Sequence, residues 1–173
     1  MQVQKFLRTI TFFAAFAAAS LAQAGVVTIH SSANSIGGGT ALNTGIELEA
    51  GQHMNISVDP SQLWNFSHGN AGYFSNADGK DGWYMQVQNA DGSDFNARIG
   101  SLVGKIGDGN YFTIGTKFDG YANASGKLNL YYWDSDAWNN VGQVNASVNV
   151  PEPGSIVLLG LGLLALARTR RRA

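Results

Sequence analysis

Apolar and polar residues alternate in seven short runs along the middle of the chain, a spacing that is typical of half-buried strands. The runs are rich in β-branched and aromatic residues, and clusters of Gly, Asn and Asp separate them. They read VVTIH, IELEA, MNISV, WYMQVQ, YFTIGTKF, KLNLYYW and QVNASVNV. No amphipathic helical stretch of useful length appears between them. The pattern predicts an all-β domain, an antiparallel β-sandwich of jelly-roll or galactose-binding-like type.

Two nearly identical hexapeptides flank the run GWYMQVQ. NADGKD occupies residues 76–81 and NADGSD occupies residues 89–94. Asn, Asp and Gly adopt positive φ at low cost, so both hexapeptides predict hairpin turns. They lack the acid spacing of an EF-hand loop.

The N-terminal residues have the order of a secretory signal peptide. Lys5 and Arg8 precede an uncharged stretch over residues 9–21, and the small residues Ala22 and Ala24 follow it. This order predicts a signal peptide over residues 1–24, which is passed to the secretion translocon and cleaved after Ala24.

The C-terminal segment, VPEPGSIVLLGLGLLALARTRRRA, places a short apolar run between a Pro-Glu-Pro motif and a basic cluster. As a helix, residues 156–167 would reach about 18 Å, whereas a hydrocarbon core is about 30 Å thick. Neighbouring residues and snorkelling arginines could extend that reach. The basic cluster consists of Arg168, Arg170, Arg171 and Arg172.

Residues 151–173 closely resemble the PEP-CTERM sorting signal of Gram-negative bacteria. Pro151, Glu152 and Pro153, the apolar helix and the arginines occur in the family's order. The resemblance implies export across the inner membrane and recognition by an exosortase acting near Pro-Glu-Pro. It also implies a cell-surface or extracellular-matrix location, with the helix as a transient or stable membrane anchor. Positive charge retained on the cytoplasmic side agrees with that orientation.

Residues 25–150 remain as one predicted domain. They hold five Lys and Arg against eleven Asp and Glu, a net charge of −6. This balance argues against nucleic acid as a partner and is compatible with a bound cation. The chain has no Cys, which excludes thiol catalysis and Cys-ligated zinc.

Residues 100–150 resemble the PA-IL-like galactophilic lectin family, small calcium-dependent β-sandwich lectins. Three pieces match in order: GSLVGKIG at 100–107, SGKLNLYYWD at 125–134 and NNVG at 139–142. The resemblance implies calcium held by an acid at Asp134 and an Asn pair at Asn139 and Asn140. No counterpart of the family's sugar-contacting His and Gln is identified.

The stretch DSDAWNN supplies oxygen ligands of the kind that calcium prefers, from Asp134, Asp136, Asn139, Asn140 and backbone carbonyls. Trp133 and Trp138 could offer an aromatic surface to the apolar face of a sugar ring. The alternative at this position is a polar hairpin whose side chains bond their own backbone.

These features predict a non-enzymatic, exported protein that binds carbohydrate or exopolysaccharide through a calcium site. The alternative is a structural or adhesive protein of the biofilm matrix that recognises no particular glycan. A hydrolase would need a carboxylate pair such as Glu47 and Glu49, but alternating acids on a strand usually lie on its solvent-exposed face.

Overall fold

The computed structural model describes residues 23–151, which form twelve strands and two single-turn 3₁₀ helices. The predicted signal helix and the predicted C-terminal apolar helix lie outside this range. The strands are β1 (Gln23–His30), β2 (Leu42–Leu48), β3 (His53–Val58), β4 (Trp64–Asn65), β5 (Phe74–Ser75), β6 (Tyr84–Gln88), β7 (Asp94–Arg98), β8 (Leu102–Ile106), β9 (Phe112–Thr113), β10 (Lys117–Tyr121), β11 (Gly126–Tyr132) and β12 (Val141–Val150). The 3₁₀ turns are Ala71–Tyr73 and Ala137–Asn139.

Two antiparallel sheets enclose the main core. The first runs in the order β10-β3-β12-β4-β5, with β1 also paired to β12, and the second runs in the order β2-β11-β8-β9. Fully buried side chains from both sheets form a single apolar cluster. Its members include Ile29, Met54, Ile56, Trp64, Leu102, Ile106, Leu128, Leu130, Tyr132 and Val148.

Strand β12 shows how the alternating pattern produces this packing. Every second residue from Val144 onward is buried, namely Val144, Ala146, Val148 and Val150, while the polar residues between them stay exposed. Successive side chains on a strand point to opposite faces, so one face of β12 joins the core and the other meets water. The strand pairs with β1 along its length and with β3 at its C-terminal part.

A separate hairpin of β6 and β7 covers the outer face of the second sheet near β8. Its apolar residues pack around Trp133, which is fully buried and donates an Nε1 hydrogen bond to the carbonyl of Met85 at 3.0 Å. Val103 lies in the same small cluster. Strand β8 is therefore covered on both faces, which explains why Leu102, Val103 and Gly104 are all buried.

The predicted all-β, antiparallel, sandwich-like class is confirmed. Four strands have no counterpart among the seven predicted runs: β4 and β5 are only two residues long, β7 has only two apolar residues, and β8 lacks alternation because both of its faces are covered. The run YFTIGTKF is not one strand. It divides into β9 and β10, which belong to different sheets and are separated by a turn with Gly115 at φ +64°.

The two predicted hairpin turns have different outcomes. Residues 89–94 do join β6 to β7, with the N–H of Gly92 donating to the carbonyl of Asn89 at 3.0 Å. Residues 76–81 also turn, but β5 pairs with β4, so no hairpin is made there. The domain limits of 25–150 stay a prediction; β1 begins at Gln23, and cleavage after Ala24 would leave most of that strand in place.

Candidate functional site

The loop between β11 and β12 holds the four predicted metal ligands. It leaves the sheet at Trp133 and re-enters it at Val141, through the single 3₁₀ turn Ala137–Asn139. The N–H of Ser135 donates to Asp134 Oδ1 at 2.8 Å, and the N–H of Asn140 donates to the carbonyl of Ala137. These local bonds are those of the polar-hairpin alternative, so they do not by themselves indicate a metal.

Asp134 is a buried carboxyl with incomplete hydrogen bonding. Its side chain is 5% exposed, and its Oδ2 is buried without a hydrogen-bond partner among the described residues. Burial raises the pKa of this carboxyl, and the nearby charge of Asp136 adds to the rise; the Asn140 side chain and the backbone N–H groups of Ser135 and Asp136 oppose it, although only the Ser135 N–H lies within hydrogen-bond geometry. A buried carboxylate oxygen with no donor is costly unless a cation or a proton meets it.

Two further oxygens of the same loop share this condition. Asn139 Oδ1 and Asn140 Oδ1 are buried and have no donor within residues 23–151. The side chain of Asn140 interacts with the Asp134 carboxyl and also donates from Nδ2 to the carbonyl of Ser31 at 3.4 Å. These three oxygens, one of them on a carboxyl, accept no hydrogen bond. Ca²⁺ prefers carboxylate and amide oxygens as ligands, so these residues fit that ion.

The remaining loop acid has a different setting. Asp136 is exposed and makes no side-chain hydrogen bond to another described residue. Within residues 23–151 no group of three or more His, Cys, Asp or Glu could hold a metal ion. A metal at this loop would therefore depend on amide and carbonyl oxygens as well as on Asp134 and Asp136.

A second loop, residues 31–40, holds the loop of residues 133–140 in place. Ser35 Oγ and the N–H of Gly37 both donate to the carbonyl of Asp134, at 2.8 and 2.9 Å. The carbonyl of Gly37 in turn accepts from the N–H of Ala137 at 2.9 Å. A Cβ on Gly37 would collide with the carbonyl of Ser135, so only glycine allows this approach. The sequence signal for the contact is the run of glycines at 37–39.

The two tryptophans predicted to contact a ligand differ in exposure. Trp133 has no exposed surface and belongs to the cluster under the β6–β7 hairpin, so the prediction that it stacks against a ligand is wrong. Trp138 is 75% exposed at the outer side of the loop and is available to a ligand.

His68 lies beside Trp138, although the sequence separates them by seventy residues. The rings meet edge to face at a centroid distance of 4.7 Å. The main-chain N–H of His68 donates to the carbonyl of Asn139 at 2.6 Å. His68 has φ +50°, an uncommon conformation for a residue other than glycine. Asn65 holds this turn by accepting from the N–H groups of Ser67 and Gly69 through Oδ1.

The predicted processing residues fall at the opposite end of the domain or outside it. Ala24 lies in β1, and Pro151 is exposed immediately after β12. Ala22, Glu152 and Pro153 and the arginine cluster lie outside the described residues. In the part of the chain that the structure describes, no helix has the length and apolarity needed to cross a membrane.

A known sequence family and a solved structure are similar to parts of this chain. Residues 149–172 match the PEP-CTERM protein-sorting motif. The chain matches no curated protein sequence. One similar solved structure is described as "EclA N-terminal domain; PllA-like lectin", with a TM-score of 0.47, 19% sequence identity and coverage of 78% of this chain and 98% of that one. The predicted sorting signal is confirmed: residues 149–172 carry a PEP-CTERM protein-sorting motif, which follows the all-β domain of the described residues.

Proposed function

We propose that this chain is an exported, non-enzymatic protein that binds carbohydrate through a calcium site in the loop between β11 and β12. Asp134, Asn139 and Asn140 would hold the ion, with Asp136 and loop carbonyls as further ligands. The observation that carries the proposal is the set of three buried oxygens without donors in a single loop. Such atoms are rare in folded proteins and call for an ion or another partner.

A bound Ca²⁺ would supply positive charge and free coordination positions for hydroxyl oxygens. The protein supplies the rest of the sugar contact. The exposed ring of Trp138 offers an apolar face beside that position, and the imidazole of His68, held against it, offers a hydrogen-bonding nitrogen. A sugar has an apolar ring face and a hydroxyl edge, so the pair suits its two sides.

The sorting motif supplies the setting for this activity. We propose export, recognition by an exosortase near Pro151, and residence at the cell surface or in the extracellular matrix, where exopolysaccharide is the available partner. The C-terminal apolar segment would hold the chain in the membrane before processing. The domain's acidic charge gives it little attraction for nucleic acid.

Thermal unfolding of the full-length chain, in a detergent without a sugar headgroup, tests the calcium site. Calcium bound only by the folded state stabilises it by about 2.7 kcal/mol at a hundredfold excess over Kd. We expect calcium to raise Tm relative to chelator in the natural chain and in Asp108→Ala, an exposed acid remote in sequence. Asp134→Ala should lose the rise.

Sugar binding is then measured in calcium, with galactose, glucose and mannose as probes. Binding that chelator and Asp134→Ala both abolish would support the lectin function. A calcium-dependent rise in Tm without sugar binding would leave a structural ion. If calcium has no effect on any variant, the site is a polar hairpin and the matrix-protein alternative gains.

A further inference from the structure

The β6–β7 hairpin has one apolar face and one polar face. Met85, Val87, Phe95 and Ala97 pack on the cluster around Trp133. The other face carries three cross-strand pairs: Tyr84 with Arg98, Gln86 with Asn96, and Gln88 with Asp94. Half of these side chains are amides, and Tyr84 is 55% exposed. The polar face thus presents planar hydrogen-bonding groups beside an accessible aromatic ring.

A cavity of about 380 Å³ opens where this face meets strand β9. Tyr84, Asn96 and Arg98 line it from the hairpin, Thr113 lines it from β9, and Asp78 and Ser101 complete its polar lining. Ligand cavities of proteins usually measure about 300–1,000 Å³, so this one lies at the small end of the range. None of its lining residues belongs to the loop of Asp134.

Two charged groups in the cavity are already held in position. Asp78 accepts from the N–H of Thr116 at 2.6 Å through Oδ1 and from the Thr116 hydroxyl at 3.0 Å through Oδ2. Arg98 Nη2 lies 3.1 Å from Asp81 Oδ1, and its guanidinium also interacts with Tyr84. Groups that are fixed before binding lose little conformational entropy when a ligand arrives.

We propose that this cavity is a second carbohydrate site, which takes one neutral glycosyl unit without calcium. The ring of Tyr84 would receive the apolar face of the sugar, and the amide of Asn96, the guanidinium of Arg98 and the carboxylate of Asp78 would bond its hydroxyls. The charge of Arg98 is already met by Asp81, and Asp78 adds a negative charge, so an anionic sugar is disfavoured.

An extended peptide added as a strand is the other occupant that the topology suggests. Strand β7 pairs only with β6, and β9 pairs only with β8, among the described residues. Strand β9 has two residues, however, which is too short to support a ladder of main-chain hydrogen bonds. The side chains of the cavity are also those of hydroxyl recognition, so the sugar is favoured.

The test is a titration of the full-length, ¹⁵N-labelled chain in chelator, followed by amide chemical shifts. The probes are methyl glycosides of galactose, glucose and mannose, and the detergent carries no sugar headgroup. We expect saturable shifts at Asn96, Arg98 and Thr113 with at least one glycoside. Tyr84→Ala and Asn96→Ala should each weaken binding by about 3- to 10-fold, as expected for loss of one stacking or hydrogen-bonding group.

Two controls separate this site from the calcium site. Gln86→Ala changes the same face of the hairpin outside the cavity and should leave the affinity unchanged. Asp134→Ala should also leave it unchanged, so a failure of the calcium proposal would not affect the result. The second site is refuted if none of the glycosides gives saturable shifts in chelator, or if Tyr84→Ala and Asn96→Ala bind as the natural chain does. Shifts caused by an alternating Thr/Val peptide but by no glycoside would refute it in favour of strand addition.

Discussion

Gln23 and Val150 are register partners at one end of the antiparallel pair β1–β12. At the other end of the same pair, His30 is the partner of Gln143, and the carbonyl of Ser31 accepts from Asn140. Seven residue steps of β12 separate Gln143 from Val150, and an antiparallel strand rises about 3.4 Å per residue, so about 24 Å lies between these two ends of the pair. The chain therefore enters and leaves the domain at the end opposite the candidate calcium loop.

This separation predicts how the domain faces a membrane that holds its C-terminal segment. A label at Ser135→Cys should lie farther from the bilayer than a label at Asn149→Cys, by up to about 27 Å, because most of β12 lies between the two positions. The chain has no natural Cys, so each label is unique. Depth measured by quenching, with the full-length chain in lipid nanodiscs, checks the order. Equal depths for the two labels would contradict this orientation.

The candidate ligand set could be proposed from sequence because its members lie within seven consecutive residues, 134–140. His68 could not, because only the paired strands β4 and β12 bring its turn to Asn139. The burial of Trp133 could not be predicted for a related reason. Tyr132 points into the main core and Trp133 to the opposite face, which would be open if the β6–β7 hairpin did not cover it. Local patterns do not reveal such a long-range cover.

Gly37 permits the close contact between residues 31–40 and the candidate calcium loop. Gly37→Ala is expected to push the two loops apart, because its Cβ would meet the carbonyl of Ser135. The loop that carries the three buried oxygens would then shift, and the calcium-dependent rise in Tm should be lost. Gly72→Ala, where a Cβ meets no atom within 4 Å, is the matched control. A normal calcium response in Gly37→Ala would show that the contact is not needed.

Trp138 is predicted to contribute to sugar affinity and not to folding. It is 75% exposed, so Trp138→Ala should leave Tm and its calcium response nearly unchanged. Loss of an aromatic contact worth about 0.5–1.5 kcal/mol should weaken sugar binding about 2- to 10-fold, measured by calorimetry in calcium. Tyr121→Ala removes another exposed ring and should have no effect on affinity. Unchanged affinity in Trp138→Ala would exclude this ring from the site.

Trp133 is predicted to act on stability alone. Trp133→Ala should cost about 3–5 kcal/mol of unfolding free energy, since it leaves a cavity beneath the β6–β7 hairpin. Trp133→Phe keeps most of the apolar volume but loses the hydrogen bond to the carbonyl of Met85, and should cost about 1 kcal/mol plus a smaller packing loss. Denaturant unfolding measures both values. If Trp133→Phe folds but no longer binds sugar, the prediction is wrong and Trp133 contributes to binding.

Asp134→Asn distinguishes the destabilisation caused by the buried charge from the role of that charge in binding calcium. The folded-state pKa of Asp134 is raised, chiefly by burial, so the folded state favours the protonated form. A raised pKa stabilises the fold below the unfolded-state pKa, and this contribution is lost as pH rises through the folded-state value. In chelator at neutral pH, Asp134→Asn should therefore be the more stable protein by about 1 kcal/mol, the penalty of one buried unsatisfied group.

The advantage of Asp134→Asn should shrink as pH falls below the folded-state pKa, because Asp134 then gains its proton. In calcium at neutral pH the order should reverse, since the ionised carboxyl gains a cation and the amide gains much less. Chemical unfolding in chelator and in calcium at several pH values measures the difference, with Asp108→Asn as the exposed control. If the variant is less stable in chelator at neutral pH, the Asp134 carboxylate is already satisfied by protein groups. The buried oxygens would then give no reason to expect a cation.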